Sequence, residues 1–290
     1  MLTPIPPSEL IVNGDGSIFH LHLLPEEVAD TVILVGDPGR VAAVSAHFGK
    51  VEVRKSNREF ATHTGVYRGM RLTVTSTGIG AGSIDIVLNE LDALANIDLK
   101  TRLPKDAHRA LRLVRLGTSG ALQPDVALGA VVCSHVSIGF DGLLGFYAHR
   151  NEISRLDYEA AFVRHTAWSE LCARPYFVEN SAELIALFAD ATVEGMTISA
   201  PGFYGPQGRV LRLPLADPKL NEKIEAFRID GKRITNFEME GSVIAGLSKL
   251  LNHKSLTICT IIDNRAALNV SVDYKKAVDN MVAMALEKLT

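Results

Sequence analysis

One feature constrains this chain most. Short apolar, often β-branched runs end in glycine-bearing turns, and stretches with helical spacing stand between them. "TVILVGDPGR" (31–40) is such a run, broken by Gly-Asp-Pro-Gly. "MRLTVTSTGIGAGS" (70–83) enters a glycine-rich turn and gives way to the helical pattern "IDIVLNELDALA" (84–95). "LRLVRLGTSGAL" (111–122) repeats the plan, and "GAVVCSHVSIG" (129–139) is a further strand. "SAELIALFADA" (181–191) reads as helix and "GMTISAPGFYG" (195–205) as a strand running into a loop. "SVIAGLSKLL" (242–251) is helical, "SLTICTIIDNR" (255–265) a strand, and "DYKKAVDNMVAMALEKL" (273–289) a closing amphipathic helix. Runs that are apolar throughout fit strands covered on both faces, and strands alternating with helices give an α/β fold. No linker or internal repeat divides the chain. The polar, basic segment 98–112 reads as a solvated insertion ahead of a central strand.

Composition narrows the function. The chain has 290 residues, 47% hydrophobic and 22% charged, enough for the core of one large α/β domain or two small ones. A net charge of −3 gives no general surface for nucleic acid or for a membrane, so any basic site must be local. The N-terminal stretch lacks the pattern of a signal peptide, and no run approaches membrane-spanning length. Cys133, Cys172 and Cys259 form no CxxC and read as reduced, buried thiols of a cytoplasmic protein.

In α/β sheets, ligands gather at the carboxyl ends of strands. This chain places Gly36, Asp37 and Arg40 at one such end, Thr77, Gly78, Gly80 and Gly82 at the next, and Arg115, Gly117, Thr118, Ser119 and Gly120 at a third. Glycine turns expose backbone N–H groups, hydroxyls add donors and arginines add charge, so the set reads as an anion cradle suited to phosphate. Neither GxGxxG nor the Walker pattern is present. Arg115 lies inside an apolar strand, where burial of its charge demands an anion. "NFEMEGSVIAG" (236–246) raises a different question. Thr235 and Glu238 fit a capping box at the start of a buried helix. Glu240 lies about 200° further round such a helix and points elsewhere. If it enters the core or a pocket it needs a partner, for which a sugar diol is one candidate.

"VGDPGRV", "NREF", "STGIGAGS", "RLGTSGALQP", "FYGPQGR", "NFEMEGS" and "IIDNR" follow one another in this order. Together they resemble the family I nucleoside phosphorylases, and among them the uridine-cleaving branch. The likeness covers the chain beyond an N-terminal arm (1–17). It implies a single domain (18–290) with a mixed, barrel-like central sheet flanked by helices. It further implies a pentosyltransferase that uses inorganic phosphate as co-substrate and needs no cofactor. Gly36, Arg40, Arg115 and Thr118 match phosphate-binding positions, and Arg58 matches an arginine lent by the neighbouring subunit. Met239 and Glu240 match ribose-binding positions. Glu238 lines the ribose side, beside its capping alternative, and His20 matches a histidine reaching across a dimer interface toward the 5′-hydroxyl. Gln207 and Arg209 suit the acceptor–donor–acceptor edge of uracil and its departing anion, and Phe203 suits stacking on the ring. Arg115, Glu240 and Arg209 are the residues expected to carry catalysis.

The resemblance also implies a homodimer-based oligomer, such as a hexamer, with shared sites. No metal is required, although Glu59, Ile79 and Ser83 match positions that hold potassium in some bacterial relatives. One departure stands out. Asp263 takes the place of an apolar residue in the pyrimidine pattern, near where purine enzymes carry a proton-donating aspartate. Either it is a general acid for a purine, or it is ionised and paired with Arg265 or another cation. The alternatives are a purine nucleoside phosphorylase, a hydrolytic nucleosidase and a non-catalytic nucleoside-binding protein.

Overall fold

The structure is a computed structural model and describes residues 3–270 and 273–290. In chain order, β1 (Thr31–Val35) leads into α1 (Pro38–Ser45), then β2 (Lys50–Asn57), β3 (Phe60–Tyr67), β4 (Met70–Ser76) and α2 (Ala81–Asn96). A small hairpin, β5 (Ile97–Asp98) and β6 (Leu103–Pro104), precedes β7 (Arg112–Ala121) and β8 (Val131–Gly139). Next come α3 (Arg150–Ile153), α4 (Leu156–Thr166), β9 (Tyr176–Glu179), α5 (Ala182–Phe188), β10 (Val193–Ser199) and α6 (Leu220–Ala226). The chain closes with β11 (Arg228–Ile229), β12 (Lys232–Glu238), α7 (Gly241–Leu250), β13 (Lys254–Asn264), β14 (Asn269–Val270) and α8 (Lys275–Leu289).

The centre is a closed, mixed barrel. β7 pairs with β13, β13 with β8, β8 with β10, β10 with β12, and β12 returns to β7. From β7 the sheet extends outward through β1, β4, β3 and β2. β1 is parallel to both β4 and β7, and β13 is parallel to β7, so four carboxyl ends share one pole. β12 meets β7 antiparallel over only Asn236↔Ala121 and Phe237↔Gly120. Its carboxyl end therefore arrives at the same pole from the other side.

Sequence patterns explain these elements. All five residues of β1 are buried, as a strand covered on both faces requires. In α8, Val278, Met281, Val282, Ala285, Leu286 and Leu289 recur at helical spacing and join one core cluster with Leu256 and Ile258 of β13. α7 is buried from Gly241 to Ser248, and Gly246 has no side chain because Leu144 fills that space.

Three expectations need correction. Residues 235–238 do not start a helix; they end β12, and α7 begins at Gly241. The segment 98–112 is not a free-standing insertion. Its Leu99 is buried, Lys105 Nζ donates to the Leu94 and Ala95 carbonyls at the end of α2, and Arg102 donates to the Leu10 carbonyl of the arm. The segment thus ties the arm, whose Leu10 lies in the core, to the body. Cys133 and Cys259 are buried, but Cys172 is exposed.

Candidate active site

A cavity of about 720 Å³ opens at the pole where the carboxyl ends meet. β1 delivers Gly36 to it, and α1 delivers Arg40. Asp37 caps α1, its carboxylate accepting from Gly39 N at 2.8 Å. Thr118 reaches the cavity from β7. The Arg40 Nη1 donates to the Leu116 carbonyl at 3.3 Å and forms no ion pair with any described carboxylate. Burial, reinforced by the nearby Arg115 charge, pushes the Arg40 guanidinium down from its ordinary range.

Arg115, by contrast, finds its counter-charges within the chain. Its Nη1 lies 3.2 Å from Glu238 Oε2, and its Nη2 donates to Glu240 Oε2. Burial works against the Arg115 charge, but Glu240 and then Glu238 outweigh it and raise its pKa. Arg115 Nε is left buried and without a partner. The guanidinium folds back over Gly117, filling the volume a Cβ there would take. β7 stays a strand through Ala121, so Gly117 and Gly120 are not turn glycines. Each leaves room for a charged side chain, Arg115 over one and Asp263 over the other. Gly78 and Gly80 do make the sharp turn after β4, with φ of 71° and 93°.

The two glutamates divide the work at the end of β12. Glu238 accepts from Glu240 N and Gly241 N, each at 2.9 Å, and from Ser199 Oγ. It therefore caps α7, though from ahead of the helix and not through a box with Thr235, whose hydroxyl donates to the Met196 carbonyl at 3.1 Å. Glu240 accepts from Gly80 N at 2.6 Å, which ties it to the turn after β4. Burial raises the Glu240 pKa, Arg115 pulls it back, and Glu238 adds to the rise. Met239 stands between the two at the cavity wall.

Phe203, Gln207 and Arg209 also line the cavity. The Arg209 guanidinium stacks 3.8 Å from the Phe203 ring centroid and donates to the Phe203 carbonyl at 2.9 Å and to Gln207 Oε1. Its Nη2 donates to Asp263 Oδ2 at 2.7 Å. Asp263 is thus paired with a cation, Arg209 and not Arg265. It still lines the cavity and does not turn away from it. Arg265 instead donates to the Gly208 carbonyl at 3.3 Å.

His20 and Arg58 are not among the residues lining the cavity. They stand together beside it. Arg58 lies 5.5 Å from the Phe19 ring, and Asn57 Nδ2 donates to the His20 carbonyl at 2.8 Å. His20 Nδ1 lies 2.6 Å from Glu90 Oε1, and Glu90 also accepts from the His20 and Leu21 amides. Glu59, the residue after Arg58, does line the cavity with Ile79 and Ser83. Ser83 Oγ donates to the Gly80 carbonyl at 3.0 Å. Sequence reasoning missed Glu90, Ser199 and Cys259, whose Sγ accepts from Arg115 at 3.3 Å. Burial pushes the Cys259 thiol up to about 12. Glu90 is one of three acids in α2, with Asp85 and Asp92, and nothing in the sequence set it apart from them.

The phosphorylase superfamily model matches residues 30–290. The uridine phosphorylase of Thermococcus kodakarensis is 27% identical over 276 residues, covering 93% of this chain and 84% of that one. A DeoD-type purine nucleoside phosphorylase of a Thermoanaerobacter species is 25% identical over 272 residues, 92% of this chain and 97% of that one. The crystal structure of a Trypanosoma brucei nucleoside phosphorylase that shows uridine phosphorylase activity superposes with a TM-score of 0.87. Its identity is 28%, over 97% of this chain and 99% of that one.

Proposed function

The chain belongs to the phosphorylase superfamily, and we propose that within it the protein cleaves uridine with inorganic phosphate, giving uracil and ribose 1-phosphate. A phosphate oxygen bonds to C1′ as the C1′–N1 bond breaks and its electron pair leaves with uracil. The sugar becomes positive and the base negative on the way. Gly36, Arg40, Arg115 and Thr118 would hold the phosphate. Glu240, Met239 and Glu238 would hold the ribose, with the Glu240 charge favouring the oxocarbenium-like sugar. Phe203 would stack on uracil, while Gln207 and Arg209 would meet its edge and the charge that builds there. The observation that carries this reading is Arg40. It is a cation pushed down by burial and by Arg115, without an ion-pair partner among the described residues, on the wall of a cavity that Gln207 and Arg209 also line. A bound phosphate supplies the missing charge. A hydrolase or a mere nucleoside carrier has no use for it.

Arg58 and His20 fit this reading in a homodimer-based oligomer, up to a hexamer, in which each subunit lends them to its neighbour's cavity. Their position together beside the cavity wall supports it. Glu59, the Ile79 carbonyl and Ser83 offer the oxygen ligands an alkali cation takes, and potassium is the ion proposed there. No helix among the described residues is long and apolar enough to cross a membrane. Free thiols at Cys133, Cys172 and Cys259 accord with a cytoplasmic setting.

Uridine cleavage should depend absolutely on phosphate, and ribose 1-phosphate, not ribose, should accumulate. Cleavage at the same rate without phosphate would sink the proposal. Asp263 on the cavity wall favours one second reading, a purine phosphorylase in which it protonates the base. Its pairing with Arg209 argues for uridine. Inosine is expected to be a poor substrate, and Asp263→Asn to change uridine phosphorolysis by less than about tenfold, under ~1.4 kcal/mol. Efficient inosine cleavage that collapses in this variant would establish the purine reading instead.

A further inference from the structure

β13 carries a bulge where it enters the cavity. Its register against β7 runs Ile261↔Ser119 and then Asp263↔Gly120, so Ile262 is the extra residue. Such a bulge re-aims the side chains around it. Here the Asp263 carboxylate lies over Gly120, in the space a Cβ would need. From there it reaches Arg209 at 2.7 Å, and the two side chains are only 17% and 13% exposed. Arg209 is then fixed at both ends, by Asp263 through Nη2 and by Gln207 Oε1 and the Phe203 carbonyl through Nη1. Gln207 is itself buried, and its carbonyl accepts from Asn221 Nδ2 at 3.2 Å. With the Gln207 amide oxygen turned to Arg209, its NH₂ group is the end left for a ligand.

We propose that Asp263 is a positioning residue for base recognition, which through Arg209 fixes the direction in which Gln207 and Arg209 face the base. The inference rests on the uridine reading. An arginine held by an ion pair and a stacked ring has already lost the rotamer freedom that base binding would otherwise remove, so the pair acts on nucleoside affinity. The residues proposed to hold phosphate, Arg40 and Arg115 among them, make no hydrogen bond to Asp263 or Arg209, so phosphate affinity should not sense the pair.

Steady-state kinetics of the full-length protein, with uridine and phosphate varied separately, test this. Asp263→Ala should raise the uridine KM by at least about tenfold and change the phosphate KM by less than about twofold. Asp263→Asn keeps an oxygen acceptor for Arg209 and should recover most of that loss. In an Arg209→Ala background, Asp263→Ala should add almost nothing, since the partner it orients is gone. An unchanged uridine KM in Asp263→Ala would overturn the proposal. So would equal rises in both KM values, or a full additive loss in the double variant. If Asp263→Ala fails to fold, the same cycle with Asp263→Ser, whose short hydroxyl does not span to Arg209, decides, an additive loss again counting against it. A parent protein that does not cleave uridine would take down the function itself. A parent that cleaves it, with Asp263 variants indifferent, would take down only this role.

Discussion

Replacing Arg115 by alanine should lower kcat/KM on the order of 10²-fold or more, with a raised phosphate KM and a reduced kcat. In the proposed reaction, Arg115 would join the phosphate and ribose halves. It lines the cavity next to Thr118, and the same guanidinium holds Glu238 and Glu240. Its removal leaves two buried carboxylates without their cation, a loss that typically costs about 3–5 kcal/mol of stability. Arg115→Lys separates the effects. It restores the charge, and with it most of the stability, but not the fork that meets several oxygens at once, so activity should stay low. The alanine variant also has a pH signature. Glu240 is already raised by burial, and Arg115 is what pulls it back. Without Arg115, the folded-state pKa rises further above the unfolded value. Stability from such a group is present below the unfolded pKa and lost as pH rises through the folded one. The variant should therefore melt at lower temperature as pH climbs above the ordinary glutamate range, more steeply than the parent. Unchanged phosphate kinetics in Arg115→Ala would remove Arg115 from the phosphate site.

Subunits carrying Arg58→Ala and subunits carrying Glu240→Ala should each be nearly inactive, yet regain activity when reassorted together. Glu240 is on the cavity wall of its own chain, whereas Arg58 sits beside the cavity and is proposed to serve a neighbour. In a two-fold dimer with shared sites, a mixed pair has one site with both defects and one with neither. Equal mixing makes half the dimers mixed, and half of their sites are intact, so roughly a quarter of parental activity should return. Size-exclusion or mass measurements must show that mixed oligomers have formed. If they form and stay dead, the sites are not shared through Arg58.

Periodicity revealed part of this fold and not the rest, for physical reasons. The fully buried strand β1 and the largely buried β7, β8 and β13 stand out as apolar runs. β2 passed unread because a half-exposed strand such as "KVEVRKSN" mixes charge with every apolar residue, and β3 because "FATHTGVY" is rich in threonine and carries no apolar run. The stretch holding α3, α4 and β9 is similarly polar, and its burial depends on aromatic packing, Tyr158 and Phe162 against Phe177. At the site, residue types pointed to the chemistry but misjudged the partners. A buried arginine in an apolar strand did signal an anion. That its own chain supplies two carboxylates, from 125 residues away in the case of Glu240, could not be read from spacing. Gly117 and Gly120 looked like turn glycines because sequence records a missing side chain and not what fills its place.

The sequence by itself determined the α/β class and the carboxyl-end clustering of arginines and glycines, and its resemblance singled out residues most of which line one cavity. Those features depend on residue type and on separations of a few positions, where helix and strand periods act. Tertiary structure alone decided the closure of the barrel by β12 against β7, the assignment of Glu238 to capping α7 and of Glu240 to Arg115 and Gly80, and the pairing of Asp263 with Arg209. The barrel closure, the Glu240 contacts and the Asp263–Arg209 pair join segments from 54 to 160 residues apart, while the Glu238 cap, though local, depends on β12 ending where it does. Ion pairs and caps form with whatever group the folded chain brings within about 3 Å, and that distance is fixed only when the sheet has closed.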